Sequence, residues 1–459
     1  MIKTSHIESI LKRACENRFV SCMVLAAMCI IAFFPTFSNE LMTGWDDQWQ
    51  VVNSYTSGGW NWKNLSDIFS HSYHGQYSPL NQILYICIYG IEKYNPGYYH
   101  ATSLALHICN VWLVYILVRH IATSVTGWTT ARICWTAIGV ALIFGIHPLQ
   151  VESVAWASAS KILLSSLFYL LASYSFALFI EKGRWGYYLL TVFLFLCSYC
   201  SKEQAVVFPL WLLLLMNIYR KKLRSQETWT ILAPFFVLAI FLGLVFALET
   251  RSTSILEEVS PRVYTWWQRL VFACYALVEY ACKYFIPYKL QYNYFYPMEP
   301  GEALPAWMLM YPSIVATAIA CFWKQLRQKS IQVGLLLFLI HISLVLHVLP
   351  IGRQSIIADR YMYLSIIGLS LFTVTLISML KMDARWRTFI CFCGCVIMTI
   401  CVSLTFNYTK LWCTTSSIRN QATTMNIISK TQNKNYEEEI HYRHDCYSSG
   451  FCSESKLCE

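Results

Sequence analysis

Two adjacent carboxylates, Asp46 and Asp47, stand between tryptophans in the stretch GWDDQW at residues 44–49. The stretch follows the first apolar segment of the chain closely, and indole rings favour the boundary between lipid and water. A carboxylate at that boundary can act as a general base on a substrate whose other half is dissolved in lipid. The alternative is that the pair only caps a turn or a short interfacial helix.

Further charged residues stand at the ends of other apolar segments. HPLQVESVAW at residues 147–156 precedes a lysine, and SKEQ at residues 201–204 separates two later segments. Snorkelling or a local ion pair would explain any one of them. Several cations beside two aspartates would instead suit an anionic lipid phosphate next to a base. The residues singled out in this way are His147, Glu152, Lys161, Lys202, Glu203, Arg353, Asp359 and Arg360.

Membrane helices must position these residues. Of 459 residues, 56% are apolar and 13% charged, whereas soluble domains carry roughly a quarter charged residues. The net charge of +10 comes from basic residues between the apolar segments and does not indicate nucleic-acid binding. We predict an all-α polytopic integral membrane protein with about 11 transmembrane helices, within a range of about 10–13, and interfacial helices on its outer face.

Eleven segments approach the roughly 20 apolar residues that a spanning helix needs. Residues 80–91 are too few to span and are predicted to lie at the interface. Residues 263–286 are interrupted by charged side chains and are predicted to make no net crossing. The eleven predicted spans are 19–37, 98–118, 132–146, 162–180, 187–200, 205–219, 229–248, 305–323, 331–349, 361–380 and 389–406.

The basic loops between the spans set the predicted orientation. Cytoplasmic loops carry an excess of lysine and arginine, which places the N-terminus in the cytoplasm and the C-terminus outside. The unusual polar residues then share the outer face, where an active site is expected. The predicted domains are a cytoplasmic segment at 1–18, a transmembrane catalytic domain at 19–406 with its first outer loop at 38–97, and a polar, flexible outer tail at 407–459.

The motifs together carry a family resemblance. The succession WDDQW, YSPLNQ, YYHATSLALHICN, HPLQVESVAW with its following lysine, CSKEQ, FYP and ADRYMYL resembles the membrane half of the transmembrane O-mannosyltransferases that carry tetratricopeptide repeats, and the bacterial members most. That group belongs to the GT-C glycosyltransferases, with the protein O-mannosyltransferases as relatives. The resemblance covers about residues 25–420. One departure is that residues 407–459 show no helical repeat of about 34 residues, so we expect no repeat domain.

The resemblance implies a GT-C-like helical bundle and a donor sugar linked to a polyprenyl phosphate, dolichyl in eukaryotes and undecaprenyl in bacteria. It also gives the acidic pair after the first span the role of activating the acceptor. We therefore predict Asp46 and Asp47 as catalytic residues. The predicted donor-phosphate-binding residues are Lys161, Lys202, Arg353 and Arg360, and the predicted supporting residues are His147, Glu152, Glu203 and Asp359.

The predicted function is transfer of a mannose-like hexose from a polyprenyl-phosphate donor to an acceptor hydroxyl on the outer or luminal membrane face, with inversion. No metal or other cofactor is expected; a divalent metal held by Asp46 and Asp47 is the alternative. The expected partners are the lipid-linked donor, a protein or glycan acceptor, the bilayer and a separate protein that presents the acceptor.

Two other functions remain open at this stage. One is a non-catalytic membrane scaffold derived from the same family. The other is a transporter or flippase of a lipid-linked sugar, which would place ionisable residues near the membrane midplane. We favour a bacterial cytoplasmic membrane over the endoplasmic reticulum membrane of a eukaryote. The tail cysteines Cys446, Cys452 and Cys458 would pair in an oxidising compartment, with a zinc site as the alternative.

Overall fold

The computed structural model describes residues 16–256, 264–348, 355–380 and 383–421. Within these ranges the chain is helical, apart from two isolated β-bridges and the connecting turns. The α-helices are numbered in chain order: α1 Arg18–Phe33, α2 Asp47–Gln50, α3 Ser54–Gly58, α4 Trp62–Ser70, α5 Pro79–Glu92, α6 Pro96–Val125, α7 Thr130–Ile146, α8 Val151–Ala155, α9 Ser160–Lys182, α10 Trp185–Ser201, α11 Phe208–Ile218, α12 Gln226–Leu256, α13 Trp266–Phe285, α14 Met310–Cys321, α15 Trp323–Leu326, α16 Lys329–Ile342, α17 Met362–Met379 and α18 Ala384–Leu411.

Short 3-10 helices extend or join several of the α-helices, and three of them lie beside the charged motifs. The 3-10 helices are Phe34–Ser38, Pro148–Gln150, Ala157–Ala159, Glu203–Val207, Ala306–Leu309, Ser343–Val345 and Asp359–Tyr361.

Six helical segments in the described ranges are long and apolar enough to cross a membrane. The number is seven if α7 and the segment Pro148–Ala155 are counted as one bent span. The two helices meet at 55°. Pro148 accounts for the bend, because proline lacks the N–H that would continue the helix. The six segments are Arg18–Ser38, Pro96–Val125, Ala157–Lys182, Gln226–Leu248, Asp359–Met379 and Thr388–Leu411.

Four further predicted spans form shorter apolar helices, Trp185–Ser201, Glu203–Ile218, Ala306–Cys321 and Ile331–Val345, of 10–17 residues each. These fall short of the roughly 20 residues that cross a bilayer without tilt or thinning. The protein is thus an all-α, multi-pass membrane protein with six or seven candidate spans in its described part. The count of eleven remains a prediction.

The two ambiguous segments both form helices that are not among the candidate spans. Residues 80–91 lie in α5. Residues 263–286 contain α13, which starts with a capping box in which the Thr265 hydroxyl accepts the N–H of Gln268 and the Gln268 side chain accepts the N–H of Thr265. This motif fixes the start of the helix after Thr265.

Tight helix packing fixes the centre of the bundle. α9 packs against α10 and α6, and α17 packs against α16 and α7. At the crossing of α16 and α17, a Cβ atom on Gly368 would lie 2.3 Å from the backbone nitrogen of Phe338, and one on Gly334 would lie 2.8 Å from the Gly368 carbonyl oxygen. Only glycine permits this approach of the two backbones.

α18 extends past residue 406 and ends at Leu411, and residues 415–421 are helical again. The residues that follow it fold back over the first loop: the N–H of Glu40 donates to the Cys413 carbonyl at 2.9 Å, and the guanidinium of Arg419 donates to the Gly44 carbonyl at 3.4 Å. The start of the predicted tail therefore packs beside GWDDQW. Residues 422–459, with Cys446, Cys452 and Cys458, lie outside the described residues.

Candidate functional site

Asp47 is the buried carboxylate of the acidic pair. Its Oδ2 accepts the backbone N–H of Met42 at 2.8 Å, and its Oδ1 accepts the backbone N–H of Ser158 at 2.8 Å and also the Ser158 hydroxyl. Burial raises the pKa of Asp47 to about 6, although these hydrogen bonds oppose the rise. With both oxygens occupied, Asp47 fastens the first outer loop to the 3-10 helix Ala157–Ala159.

Asp46 is half-buried and lies one residue before α2. The side-chain amide of Gln50 donates to its Oδ2 at 3.5 Å and to Gln76 Oε1 at 2.8 Å. Gln50 in turn accepts the Lys161 ammonium at 3.0 Å, and Gln76 accepts it as well. Two glutamine side chains thus hold the lysine beside Asp46, and the Asp46 carboxylate keeps most of its acceptor capacity.

Three cations meet at the ends of three different helices. Lys161 is in the first turn of α9, Lys202 follows α10, and Arg360 precedes α17. Lys202 and Arg360 line one small cavity of about 30 Å³. The charges of Lys202, Arg360 and Asp46 all act on Lys161. The structure therefore brings the predicted base and three of the four predicted phosphate ligands together.

Arg360 is held by a fully buried carboxylate. Both its backbone N–H, at 2.7 Å, and its guanidinium donate to Glu152. The indole of Trp156 lies 5.7 Å from the guanidinium and the ring of Tyr361 lies 5.0 Å away. Glu152 thus fixes the position of Arg360, while part of the guanidinium still faces the cavity. At the neighbouring cation, Lys202 Nζ lies 3.6 Å from Glu203 Oε1.

Asp359 belongs to a buried network next to Arg360. Its Oδ1 accepts the Tyr294 hydroxyl at 2.7 Å, and the ammonium of Lys283 acts on its charge. Lys283 donates to the carbonyls of Tyr288 at 2.9 Å and Lys289 at 3.3 Å. Burial lowers the pKa of Lys283, and the charge of Asp359 partly offsets this. Asp359 therefore connects α13 to the start of α17.

His147 has a structural part in this arrangement. Its Nδ1 accepts the N–H of Leu149 at 3.2 Å, and its Nε2 bonds to the carbonyl of Tyr284 at 2.9 Å, so Nε2 carries the proton. The imidazole is stacked on the Tyr284 ring. Both ring nitrogens are therefore used in fixing the bend between α7 and α8. Arg353, the fourth predicted phosphate ligand, lies outside the described residues.

Aromatic rings join the acidic pair to Arg360. Trp45 lies 4.3 Å from Tyr292 and 6.3 Å from Trp156, measured between ring centroids, and Trp412 closes the cluster from the C-terminal side. Trp45 and Trp156 are each partly exposed. Because Trp156 also lies against the Arg360 guanidinium, the cluster connects the loop that carries Asp46 with Arg360.

The donor set around the acidic pair fits an organic substrate better than a shared metal ion. A divalent cation between Asp46 and Asp47 would need oxygens from both carboxylates. Asp47 directs its oxygens at N–H and O–H donors instead. Only Asp46 is left to offer a free carboxylate oxygen.

Three uncharged residues and one lysine at this site were not singled out from the sequence. Ser158 anchors Asp47, and Gln50 and Gln76 hold Lys161. The lysine is Lys283. Neutral side chains give no signal in an apolar chain, and the Asp47–Ser158 contact spans 111 positions. Lys283 did interrupt an apolar segment, and that was the one available signal for it.

No protein-family model matches the chain. Among curated proteins, protein O-mannosyl-transferase Tmtc1 of Drosophila melanogaster is 26% identical over 190 residues, which are 39% of this chain and 21% of that protein. Protein O-mannosyl-transferase TMTC1 of Homo sapiens is 27% identical over 184 residues, 35% of this chain and 20% of that protein. The chain is distantly similar to these O-mannosyl-transferases. The resemblance predicted from the motifs is confirmed.

The similarity is partial in extent. The matched region spans about a fifth of the length of these curated relatives. Among solved structures, a crystal structure of ArnT from Cupriavidus metallidurans bound to undecaprenyl phosphate aligns with a TM-score of 0.43 and 13% identity, over 82% of this chain and 62% of that one. That likeness is remote.

Proposed function

We propose that this protein is a membrane glycosyltransferase of GT-C type, which moves a mannose-like hexose from a polyprenyl-phosphate donor to an acceptor hydroxyl. The observation that carries the proposal is the joint placement of Asp46, Lys161, Lys202 and Arg360 at one end of the helical bundle. The distant similarity to O-mannosyl-transferases supports the class of reaction and the choice of sugar.

Asp46 acts as the base in this proposal. The acceptor oxygen attacks the anomeric carbon while its proton passes to the Asp46 carboxylate. Gln50 contacts both the Asp46 carboxylate and the Lys161 ammonium, so the two side chains are held next to each other. Asp47 positions the loop and takes no proton from the acceptor, because its oxygens are already occupied.

The cations act on the leaving group. As the bond between the anomeric carbon and the phosphate oxygen breaks, its electron pair goes to that oxygen, and polyprenyl phosphate departs. The departing phosphate needs stabilising charge rather than a strong acid, and Lys202 and Arg360 supply it from fixed positions. One displacement of this kind inverts the configuration at the anomeric carbon.

The test is turnover of defined donors by the purified full chain in detergent. The donors are undecaprenyl- and dolichyl-phosphate mannose, with the glucose analogues for comparison, and the readout is released polyprenyl phosphate. We expect a peptide or glycan hydroxyl acceptor to raise the release of polyprenyl phosphate above hydrolysis in its absence.

The remaining functions give different results. If the donor binds but is not turned over with any of a panel of hydroxyl acceptors, the result favours a non-catalytic scaffold. If the protein moves the intact donor from one leaflet of a proteoliposome to the other, the result favours a transporter or flippase. Either result would contradict the proposal.

A further inference from the structure

A second and larger cavity lies at the opposite end of the bundle from Asp46. Its volume is about 380 Å³, within the range of roughly 300–1,000 Å³ that is usual for small-ligand sites. Its walls are mostly apolar, and α6, α9, α16 and α17 contribute to them. The lining includes Leu117, Ile121, Leu170, Val333, Leu337 and Leu371.

Two cations stand on the wall of this cavity. Arg220 follows α11, and Lys329 is the first residue of α16. Both side chains are exposed, and within the described ranges neither forms an ion pair. A nearby carboxylate at this end of the bundle, Glu181, is already engaged by His120 at 3.2 Å and Tyr219 at 2.9 Å. The cations thus remain available to an external anion.

The cavity is separated from the candidate active site by an aromatic partition. Tyr169, His341 and Leu364 line both this cavity and the small one beside Lys202 and Arg360. The Tyr169 and His341 rings pack edge to face with 5.1 Å between centroids. Because Arg220 and Lys329 lie at helix ends away from this ring pair, a ligand with an anionic headgroup would enter the larger cavity from the basic end.

The geometry points to a binding site for an anionic phospholipid of the leaflet at this basic end, and we propose that phosphatidylglycerol or a similar lipid occupies it. One acyl chain fills the apolar cavity. The phosphodiester lies between Arg220 and Lys329, whose charges complement it. The neighbouring Trp128, which lines the cavity and stacks on the Arg132 guanidinium at 4.0 Å, marks the headgroup level.

The test compares phosphatidylglycerol with phosphatidylcholine of identical acyl chains, bound to the full chain in detergent and measured by native mass spectrometry. Each cation near a lipid phosphate contributes about a fivefold factor, so Arg220→Gln with Lys329→Gln is expected to weaken phosphatidylglycerol binding about thirtyfold. The matched control, Lys221→Gln with Lys222→Gln, removes the same charge from the loop that contains Arg220, but neither lysine lines the cavity. It should bind like the wild type.

A cavity-filling variant keeps the result interpretable if the double variant folds poorly. Val333→Phe leaves every charge in place and should lower the binding of both phospholipids. Phosphatidylglycerol binding that survives both variants, or that falls equally in the control, would overturn the proposal. So would one-for-one displacement of phosphatidylglycerol by undecaprenyl phosphate, because the cavity would then belong to the donor. None of these outcomes depends on catalysis.

Discussion

Asp46 and Asp47 are neighbours in the chain, yet their carboxylates have different surroundings. Asp47 accepts three hydrogen bonds in the interior, whereas Asp46 is half-buried and touches one amide at 3.5 Å. A buried carboxylate with satisfied oxygens stabilises the loop that contains it. A half-buried carboxylate with spare lone pairs can accept a hydrogen bond from an incoming hydroxyl, which the occupied oxygens of Asp47 cannot. This difference decides the roles in the proposed mechanism.

The pH dependence of stability tests the burial of Asp47. Its pKa is about 6 in the folded protein against 3.8 for a free side chain. The native state therefore binds the proton more tightly than the unfolded state, and the free energy of unfolding should fall as pH rises from about 4 to about 6. We expect this contribution to be absent in Asp47→Asn and retained in Asp67→Asn, with melting temperature in detergent as the measurement. Identical pH profiles in wild type and Asp47→Asn would contradict the assignment.

Donor affinity tests the cations. Lys202→Ala removes a charge-assisted contact to the phosphate, which should weaken polyprenyl-phosphate binding by about 10- to 100-fold. Lys63→Ala, an exposed lysine in α4, is the control and should leave the dissociation constant unchanged. Lys202 is preferred to Arg360 for this test, because loss of Arg360 would leave Glu152 buried and unpaired. If Lys202→Ala and the wild type bound polyprenyl phosphate with equal affinity, Lys202 would not be a phosphate ligand.

At the scale of single residues, the sequence singled out most of the charged side chains that the structure brings together, but neither Lys283 nor the neutral residues. Asp46, Lys161, Lys202 and Arg360 stood out because charged residues are scarce in this chain and these recur at the ends of its apolar segments. Which aspartate is buried depends on how α2 docks against Ser158, and that contact joins distant parts of the chain. Such packing cannot be deduced from spacing.

The helix elements position the site through close packing, and the crossing of α16 and α17 is the tightest example. A Cβ on Gly368 would overlap backbone atoms of α16, which cannot move away as a flexible side chain could. Gly368→Ala should therefore destabilise the fold by about 1–3 kcal/mol and shift the start of α17, where Arg360 lies.

Gly394→Ala is the matched control for this crossing. No atom lies within 4 Å of a Cβ placed there, and alanine is the better helix former. We expect its melting temperature to equal or exceed that of the wild type. If Gly368→Ala melted at the same temperature as Gly394→Ala, the two helices would not touch as described.

The lengths of the helices show where hydropathy predicted a helix long enough to cross the membrane and where it predicted only a shorter apolar helix. Each of the eleven predicted segments contains a helix, but four of these helices are shorter apolar helices of 10–17 residues, and the 17-residue α7 is a candidate span only together with Pro148–Ala155. Polar or proline-containing turns bound them, and the turn between α10 and α11 falls at the SKEQ motif that the sequence pattern marked.

The whole molecule has two chemically different ends. One end carries Asp46 with its cations, and the other carries Arg220 and the short basic loops. If these ends face opposite sides of the membrane, an epitope inserted after Gly59 should be reached from one side of sealed vesicles and one inserted after Gly183 only from the other. Permeabilised vesicles, in which both should react, serve as the control. Labelling of both epitopes from the same side of sealed vesicles would contradict the arrangement.

The orientation of the whole molecule in the membrane stays a prediction from the sequence. The positive-inside rule placed nearly all unusual polar residues on one face, and the structure gathers the described ones at one end of the bundle. The cavity near Arg220 was not predicted, because its walls come from helices far apart in the chain.

The most direct test of the central claim is donor turnover with Asp46→Asn, Asp47→Asn and the control Asp67→Asn, each with its melting temperature. We predict that Asp46→Asn lowers turnover by about 10²- to 10⁴-fold while donor binding and melting temperature stay at wild-type values. Asp47→Asn should lower stability by about 1–3 kcal/mol and lose activity only in proportion to unfolding. Full turnover in Asp46→Asn, or selective loss in a stable Asp47→Asn, would contradict the assignment of Asp46 as the base.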